Sequence, residues 1–243
     1  MRKLIFGLFI VMGFVFSSCK KNSPVPKTST QVSTTPYCFL TALRSFSYSS
    51  GSLVFNANTA YAELRSDINN ISTDMQIGSV ATGGNQLKFL PVSKTYSDTT
   101  NSLTIVPTSW QVVGAGPIPS CTYTNNDSLP GYTGYTFLPD TIYKSQNLSL
   151  QINGISEANG IEVSLYNSTI PSANIIQMRS TGISINNTFS FSSSVLSPLP
   201  LSASSYSPTL LTINVFKYNY QVISGVTFSF QTQLEINKQV YIK

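Results

Sequence analysis

Residues 226–231 read VTFSFQ, and the alternation of apolar and polar side chains in this stretch decides the fold class. The same pattern recurs at residues 161–165 (IEVSL), 188–192 (TFSFS) and 211–215 (LTINV). Successive side chains of a β-strand point to opposite faces, so each stretch predicts a strand with one buried and one wet face. We find no ten-residue stretch with a convincing helical period. The sequence therefore predicts an all-β protein.

Turn residues divide the chain into many short strands. Asn-Gly pairs at 153–154 and 159–160 and the Gly-Gly pair at 83–84 favour tight turns, and such spacing is typical of sandwiches and barrels. The segment at 129–140 (LPGYTGYTFLPD) interrupts the pattern near the middle. We expect two tandem immunoglobulin-like antiparallel β-sandwiches, at residues 37–138 and 139–243. One continuous sandwich of about 200 residues is the alternative.

Two local predictions complete this picture. A strand pair formed by residues 226–231 and 234–242 is expected to end the second domain. Residues 193–196 precede two prolines and could form one helical turn with a serine cap.

The composition excludes several classes of function. The 243 residues include no histidine, which removes the usual general base of Ser-His and Cys-His enzymes and the commonest metal ligand. Five of the fourteen basic residues precede residue 28, which leaves nine basic against nine acidic residues in the remainder. Because that remainder is neutral overall, it offers no basic stripe to phosphates, and we expect no nucleic-acid partner.

The N-terminus has the organisation of a secretory signal. Arg2 and Lys3 precede thirteen apolar or glycine residues at 4–16, and Ser17-Ser18-Cys19 follows at once. Thirteen helical residues would reach about 20 Å, which is short of the roughly 30 Å hydrocarbon core of a bilayer. A short membrane anchor that stays attached is the alternative.

The residues around Cys19 carry a resemblance to a known class of proteins. FSSC at residues 16–19 resembles the lipobox of bacterial lipoproteins, and CKKN at 19–22 is similar to the mature start of Bacteroidota-type lipoproteins. Together with residues 110–123 and 129–140, the layout resembles uncharacterised envelope lipoproteins with tandem β-sandwiches. The resemblance implies a signal peptide at 1–18 and a lipidated Cys19 opening a flexible tether at 19–36. It also implies attachment to a membrane, the outer membrane by expectation, on its periplasmic or surface face.

The number of remaining cysteines is consistent with export of the protein. If Cys19 carries lipid, Cys38 and Cys121 remain as an even pair in an oxidising compartment, which predicts a disulfide. Such a bridge would contribute on the order of 4 kcal/mol. Two buried free thiols that pack as small hydrophobes are the alternative.

Candidate chemistry is sparse. Glu157 and Glu162 flank a predicted turn, and glycosidases need two carboxylates roughly 5–10 Å apart, but solvated charges around a hairpin are the simpler interpretation. No C-x-x-C pair or Asp-rich calcium loop is present. We therefore expect no catalytic residue, metal or cofactor. A His-free polysaccharide hydrolase with paired carboxylates is the alternative.

Aromatic residues are the best candidates for binding. The chain has 13 tyrosines and 14 phenylalanines, and Tyr218 and Tyr220 share one face of a predicted strand. Tyr132 and Tyr135 lie in the central segment. Tyrosine rings stack on sugar faces, although packing inside the protein would use the same residues. We therefore expect a structural, adhesive or ligand-binding envelope lipoprotein whose partner is a glycan or another envelope protein.

Three triplets are similar to the Asp-Ser/Thr-apolar pattern of O-glycosylation in Bacteroidota. They begin at Asp98, Asp127 and Asp140. The resemblance implies modification at Thr99, Ser128 and Thr141.

Overall fold

A computed structural model of the protein describes residues 36–69, 74–100, 103–105, 107–126, 129–133, 138–167, 176–181, 183, 186–202 and 209–243. Within these ranges nearly all of the regular secondary structure is β-strand, with one four-residue helix, which confirms the predicted all-β class. The signal, the tether, Cys19, Ser128 and Tyr135 lie outside the described residues, so the predictions made for them stay predictions.

Strands follow one another along the described chain, and a short helix comes late among them. In chain order these elements are β1 (Tyr37–Ser49), β2 (Ser52–Arg65), β3 (Ser79–Thr82), β4 (Asn85–Gln86), β5 (Lys88–Leu90), β6 (Thr95–Ser97), β7 (Thr108–Val113), β8 (Cys121–Asn125), β9 (Gly131–Tyr132), β10 (Thr141–Ile142), β11 (Leu148–Asn153), β12 (Ile155–Ser156), β13 (Gly160–Tyr166), β14 (Ile176–Ser180), β15 (Asn186–Phe191), α1 (Ser193–Leu196), β16 (Thr209–Ile223) and β17 (Val226–Ile242).

One large sheet organises the molecule. Its strands lie in the order β14-β13-β16-β17-β1-β2-β6-β5, and β10 pairs with the end of β17. Three smaller sheets accompany it, with the orders β4-β3-β7-β8, β11-β15 and β12-β9. Most neighbours are antiparallel, as predicted, but β1 and β10 both run parallel to β17. The first and last long strands of the folded part are therefore direct neighbours.

The C-terminal strand corrects one local prediction. Residues 226–231 and 234–242 are not a pair of strands but parts of the single strand β17. Thr232 and Gln233 lie between them and lack the glycine, proline or asparagine that a tight turn requires. The chain therefore continues straight through this position.

The large sheet carries two hydrophobic cores on one face. Along β17 the even-numbered residues Val226, Phe228 and Phe230 belong to the first core, and Leu234 and Ile236 belong to the second. Because side chains alternate along a strand, both cores lie on the same side of the sheet. We call this side the core face.

Each core is completed by a different small sheet. The first core includes Trp110 and Val112 of β7, and the second includes Ile152 of β11 and Phe189 of β15. The side chain of Arg44, on β1, continues the core face between them, and its Nε donates to Asn58 Oδ1 at 3.1 Å.

The predicted boundary after residue 138 does not separate two compact units. Residues Thr34–Lys243 form a single unit, because strands from both ends of the chain build the shared sheet. Each predicted half supplies most of one core and the small sheet that covers it. This arrangement explains why a break in pattern near the middle suggested two domains.

Glycines at positive φ confirm two of the three predicted turns, at Gly83-Gly84 and at Gly154, whereas Gly160 is the first residue of β13 and does not adopt positive φ. Gly83 and Gly84 join β3 to β4, and a further turn, at Ser50 and Gly51, both at positive φ, joins β1 to β2. The side chain of Ser192 caps α1 by accepting a hydrogen bond from the Val195 amide.

The predicted disulfide is not formed. Cys38 on β1 and Cys121 on β8 are free thiols, both buried in the first core, where they pack as small hydrophobes. Burial, with a smaller contribution from Cys121, raises the pKa of Cys38 to about 12. Burial also raises the pKa of Cys121. The alternative of two buried thiols is the one that the structure supports.

Among the described residues, none belongs to a helix with the length and apolar character needed to cross a bilayer.

Candidate functional site

The side of the large sheet opposite the cores carries polar and aromatic residues. In β17 this side is formed by the odd-numbered residues, which include Ser229, Gln231, Gln233 and Glu235. We call it the outer face. Its composition differs sharply from the aliphatic and aromatic core face of the same strand.

Strand register places aromatic rings on both sides of β17 across this face. Gln231 lies between Tyr218 of β16 and Thr41 of β1, and Thr41 is in turn opposite Tyr61 of β2. Thr41 has no exposed surface, although it belongs to the outer face, and Ser229 is only 1% exposed. The larger side chains on the strands beside β17 therefore cover the short side chains of Thr41 and Ser229. These larger side chains form walls along β17.

A depression opens between these walls. It has a volume of about 240 Å³ and is lined by Phe39, Tyr61, Glu162, Arg179, Asn214, Phe216, Gln231 and Gln233. We call it the outer-face depression. Its lining includes one acidic and one basic residue, Glu162 and Arg179, which are directly opposite each other on β13 and β14. The depression is therefore neutral overall.

The floor of the depression is a chain of side-chain amides. Gln231 Nε2 donates to Gln233 Oε1 at 2.8 Å, and Gln233 Nε2 donates to Asn214 Oδ1 at 2.7 Å. These bonds fix the orientation of the three amides. Each amide has two N–H donors and two acceptor lone pairs, so the chain uses only part of their hydrogen-bonding capacity.

The aromatic residues of β16 form a tilted ladder. Phe216 and Tyr218 have ring centroids 5.9 Å apart at 25°, while Tyr218 and Tyr220 are 5.1 Å apart at 57°. The prediction that Tyr218 and Tyr220 share a face is confirmed. They do not form one flat platform, because the angle between their planes is too large for that.

Phe216 itself is covered rather than open. It is 3% exposed, and the guanidinium carbon of Arg179 lies 4.5 Å from its ring centroid. Gly160 lies beneath the ring, where a Cβ atom would come within 2.4 Å of it. Phe216 therefore positions Arg179, and Tyr61 is a more accessible aromatic ring of the lining than Phe216.

Tyr61 and Tyr220 keep their hydroxyl protons at neutral pH. Burial raises the pKa of Tyr61, and Glu63, Glu235 and Glu162 raise it further. Burial, followed by Tyr37 and Tyr218, raises the pKa of Tyr220. Both hydroxyls therefore serve as neutral donors and acceptors.

The two glutamates suggested as a catalytic pair have separate partners. Glu162 Oε2 accepts a hydrogen bond from Gln177 Nε2 at 2.6 Å, whereas Glu157 forms an ion pair with Lys217 at 3.1 Å. The Glu157 side chain is 57% exposed. Within the described ranges no three His, Cys, Asp or Glu side chains come together as a metal site.

The structure corrects the prediction that Tyr132 is a binding residue. It is 6% exposed and packs in the second core. Burial, with a smaller contribution from Tyr48, raises its pKa. Its segment shows no alternation of polar and apolar residues, so the sequence did not reveal on which side the ring would lie.

The aspartates of two suggested glycosylation triplets have structural roles. Asp98 Oδ1 accepts from the Thr100 amide at 2.9 Å and from the Thr100 hydroxyl at 2.7 Å, and Thr99 beside it is exposed. Asp140 forms an ion pair at 2.7 Å with the buried Lys238, and Thr141 is half-buried in β10. Thr99 is thus the more accessible of the two suggested acceptors.

Sequence reasoning missed most of the depression. Phe39, Tyr61, Asn214, Gln231 and Gln233 come from four strands, and only the strand register brings them together. The alternation did place Gln231 beside Ser229 on the polar side of a strand, which was the one available signal.

Neither the scan against protein-family models nor the search of the curated proteins finds a match for this chain.

Proposed function

We propose that the protein is an exported, lipid-anchored and non-catalytic binding protein of the cell envelope, and that the outer-face depression binds a neutral glycan. One observation carries the binding proposal: rings on either side of β17 flank a floor of oriented amides in a single neutral depression.

The chemistry of the depression suits a sugar. A pyranose presents C–H groups on its faces and hydroxyls at its edges. Aromatic rings of the lining such as Tyr61 pack against the C–H groups, and the amides of Gln233 and Asn214 pair with the hydroxyls. Binding sites of this kind combine aromatic surface with a few oriented polar groups. Because the single acidic and the single basic residue of the lining balance each other, the depression favours a neutral ligand over an acidic one.

Glycan binding is tested by screening the purified full chain on a glycan array and measuring the best ligand by calorimetry. Tyr61→Ala and Gln233→Ala are each expected to weaken binding about tenfold, which corresponds to about 1.4 kcal/mol. The matched control is Tyr143→Ala, because Tyr143 is 48% exposed and lies outside the depression. Unchanged affinity in both depression variants, with far-UV circular dichroism preserved, would exclude this site.

Membrane attachment is a separate part of the proposal. It is supported by the FSSC motif at residues 16–19 and by the Ser/Thr-rich, Pro-containing stretch that follows. Cys19→Ser is expected to move the protein from the membrane fraction to the soluble fraction of fractionated cells. Mass spectrometry of the N-terminal peptide checks this directly, and an unmodified Cys19 in the native protein contradicts it.

A further inference from the structure

One end of the large sheet is the end at which the chain enters the fold. Tyr37, the first residue of β1, pairs with Thr227 and with Arg65. The start of β1, the end of β2 and the β16–β17 turn at 224–225 therefore lie together. The β5–β6 turn at 91–94 lies there too, because β6 runs antiparallel to β2. We call this the entry end.

Four exposed apolar side chains lie at the entry end. Val92 is 101% exposed, Val222 is 70%, Tyr220 is 56% and Ile68 is 41%. The opposite end of the sheet also carries exposed apolar side chains, such as Val54, Phe55 and Leu201. Because exposed hydrophobic residues are ordinary on a protein surface, what distinguishes the entry end is the chain segment that leads into it. Ile68 also lines a depression of about 320 Å³ with Tyr37, Phe39, Glu63 and Arg65.

The position of the lipidation motif indicates which partner this surface meets. Pro36 is seventeen residues from Cys19, so the intervening chain spans at most about 60 Å when fully extended. That segment contains Lys20, Lys21 and Lys27, which suit an anionic lipid surface. A tether of this length keeps the entry end at high effective concentration near the membrane. This step rests on the proposed acylation of Cys19.

We propose that the entry end is a membrane-facing surface whose Val92, Val222 and Tyr220 insert into the lipid headgroup layer. Aliphatic side chains gain by leaving water there, and a tyrosine ring with its hydroxyl suits the interface. Lys94 lies in the same turn as Val92, where a cation is compatible with anionic headgroups. The strands then rise from the membrane, and the outer-face depression is left open to the side.

Depth-dependent fluorescence quenching tests whether the entry end inserts into the lipid headgroup layer. Val92→Cys, Val222→Cys and Val54→Cys are labelled with an environment-sensitive fluorophore in full-length protein purified from membranes. The control Val54 is 52% exposed and lies beside the β1–β2 turn at the other end of the sheet. Cys38 and Cys121 are buried with raised pKa values, so they label slowly.

In vesicles of phosphatidylethanolamine and phosphatidylglycerol that contain a nitroxide-labelled lipid, fluorescence should be lost at positions 92 and 222 and retained at 54. Equal quenching at all three positions, or no quenching at 92 and 222, overturns the proposal. A Val92→Asp variant labelled at position 222 should lose the quenching as well. If that label is quenched as strongly as before, insertion of Val92 is excluded.

The outcome is separable from the other proposals. Mass spectrometry of the same preparation reports whether Cys19 is acylated. If it is not, Cys19 is replaced by serine so that only the introduced cysteine labels, the chain is held on the vesicles by an N-terminal hexahistidine tag and a nickel-chelating lipid, and the same quenching pattern is required. Glycan binding plays no part in this readout.

Discussion

Cys38 illustrates how burial changes the chemistry of a single side chain. It has no exposed surface, and its thiol packs in the first core with Leu40 and Ala42 as its neighbours on the same face of β1. An unfolded chain releases the thiol proton near pH 9.0, whereas the folded chain holds it up to about pH 12. Between these values the unfolded state binds fewer protons, so stability falls as the pH rises.

We therefore predict a loss of stability in alkaline solution. Above about pH 9 the free energy of unfolding should fall by up to about 1.4 kcal/mol per pH unit for this one group. The tyrosines with raised pKa values add to the slope at higher pH. Urea titrations at several pH values measure it. Cys38→Ala should give a flatter profile above pH 9 and the same profile as the native chain below pH 8; identical slopes in both proteins contradict the argument.

The side on which a tyrosine ring lies could be predicted from the sequence at some positions and not at others. Tyr218 and Tyr220 lie two positions apart in an alternating strand, so their shared face followed from local geometry alone. Tyr132 lies in a segment rich in glycine and proline, where no period exists, and its burial depends on contacts with the second core. The cysteines are a similar case, because their spacing in sequence does not say how each thiol packs.

At the scale of elements, β17 is the strand on which the large sheet depends. It is antiparallel to β16 from Val226 to Val240 and parallel to β1 from Thr227 to Asn237. Its core face contributes to both cores, and its outer face forms the amide floor. A strand paired on both sides and buried on its core face opens only when the surrounding structure opens.

Hydrogen exchange should be slower in β17 than in the strands at the edge of the large sheet. Backbone amides at residues 228–236 are expected to exchange most slowly, and those of β14 faster, because β14 is the edge strand of the same sheet. Exchange followed by peptide-resolved mass spectrometry at neutral pH measures both, with β14 as the internal reference. Equal protection in β14 and β17 would contradict the central role of β17.

Alternation in the sequence predicted the strands but not their partners. A residue pattern states which side chains share a face, and it leaves open which strands are neighbours. The parallel pairing of β1 with β17 joins residues about 190 positions apart and has no local signal. The continuity of β17 through Thr232 and Gln233 was missed because two polar residues in succession interrupt the visible alternation.

At the scale of the whole molecule, one sheet holds two cores in a single structural unit. The first core is built mainly from residues before 126, yet Val226, Phe228 and Phe230 complete it from the far end of the chain. Burying a large apolar side chain contributes about 2 kcal/mol, so these three residues account for a large share of the stability of a domain. Neither half of the sequence contains a complete core.

This sharing predicts that the folded part unfolds as one unit. Trp110, the only tryptophan, is 1% exposed in the first core, so its fluorescence reports that core, while far-UV circular dichroism reports all strands. In urea the two signals should give coincident transitions. Two independent sandwiches would instead give separate transitions.

A fragment of residues 37–138 should likewise be unfolded alone, because it lacks β17, and its amide proton spectrum should be poorly dispersed. Adding residues 139–243 should restore dispersion; a well-dispersed spectrum from the first fragment alone would show that its core closes without β17.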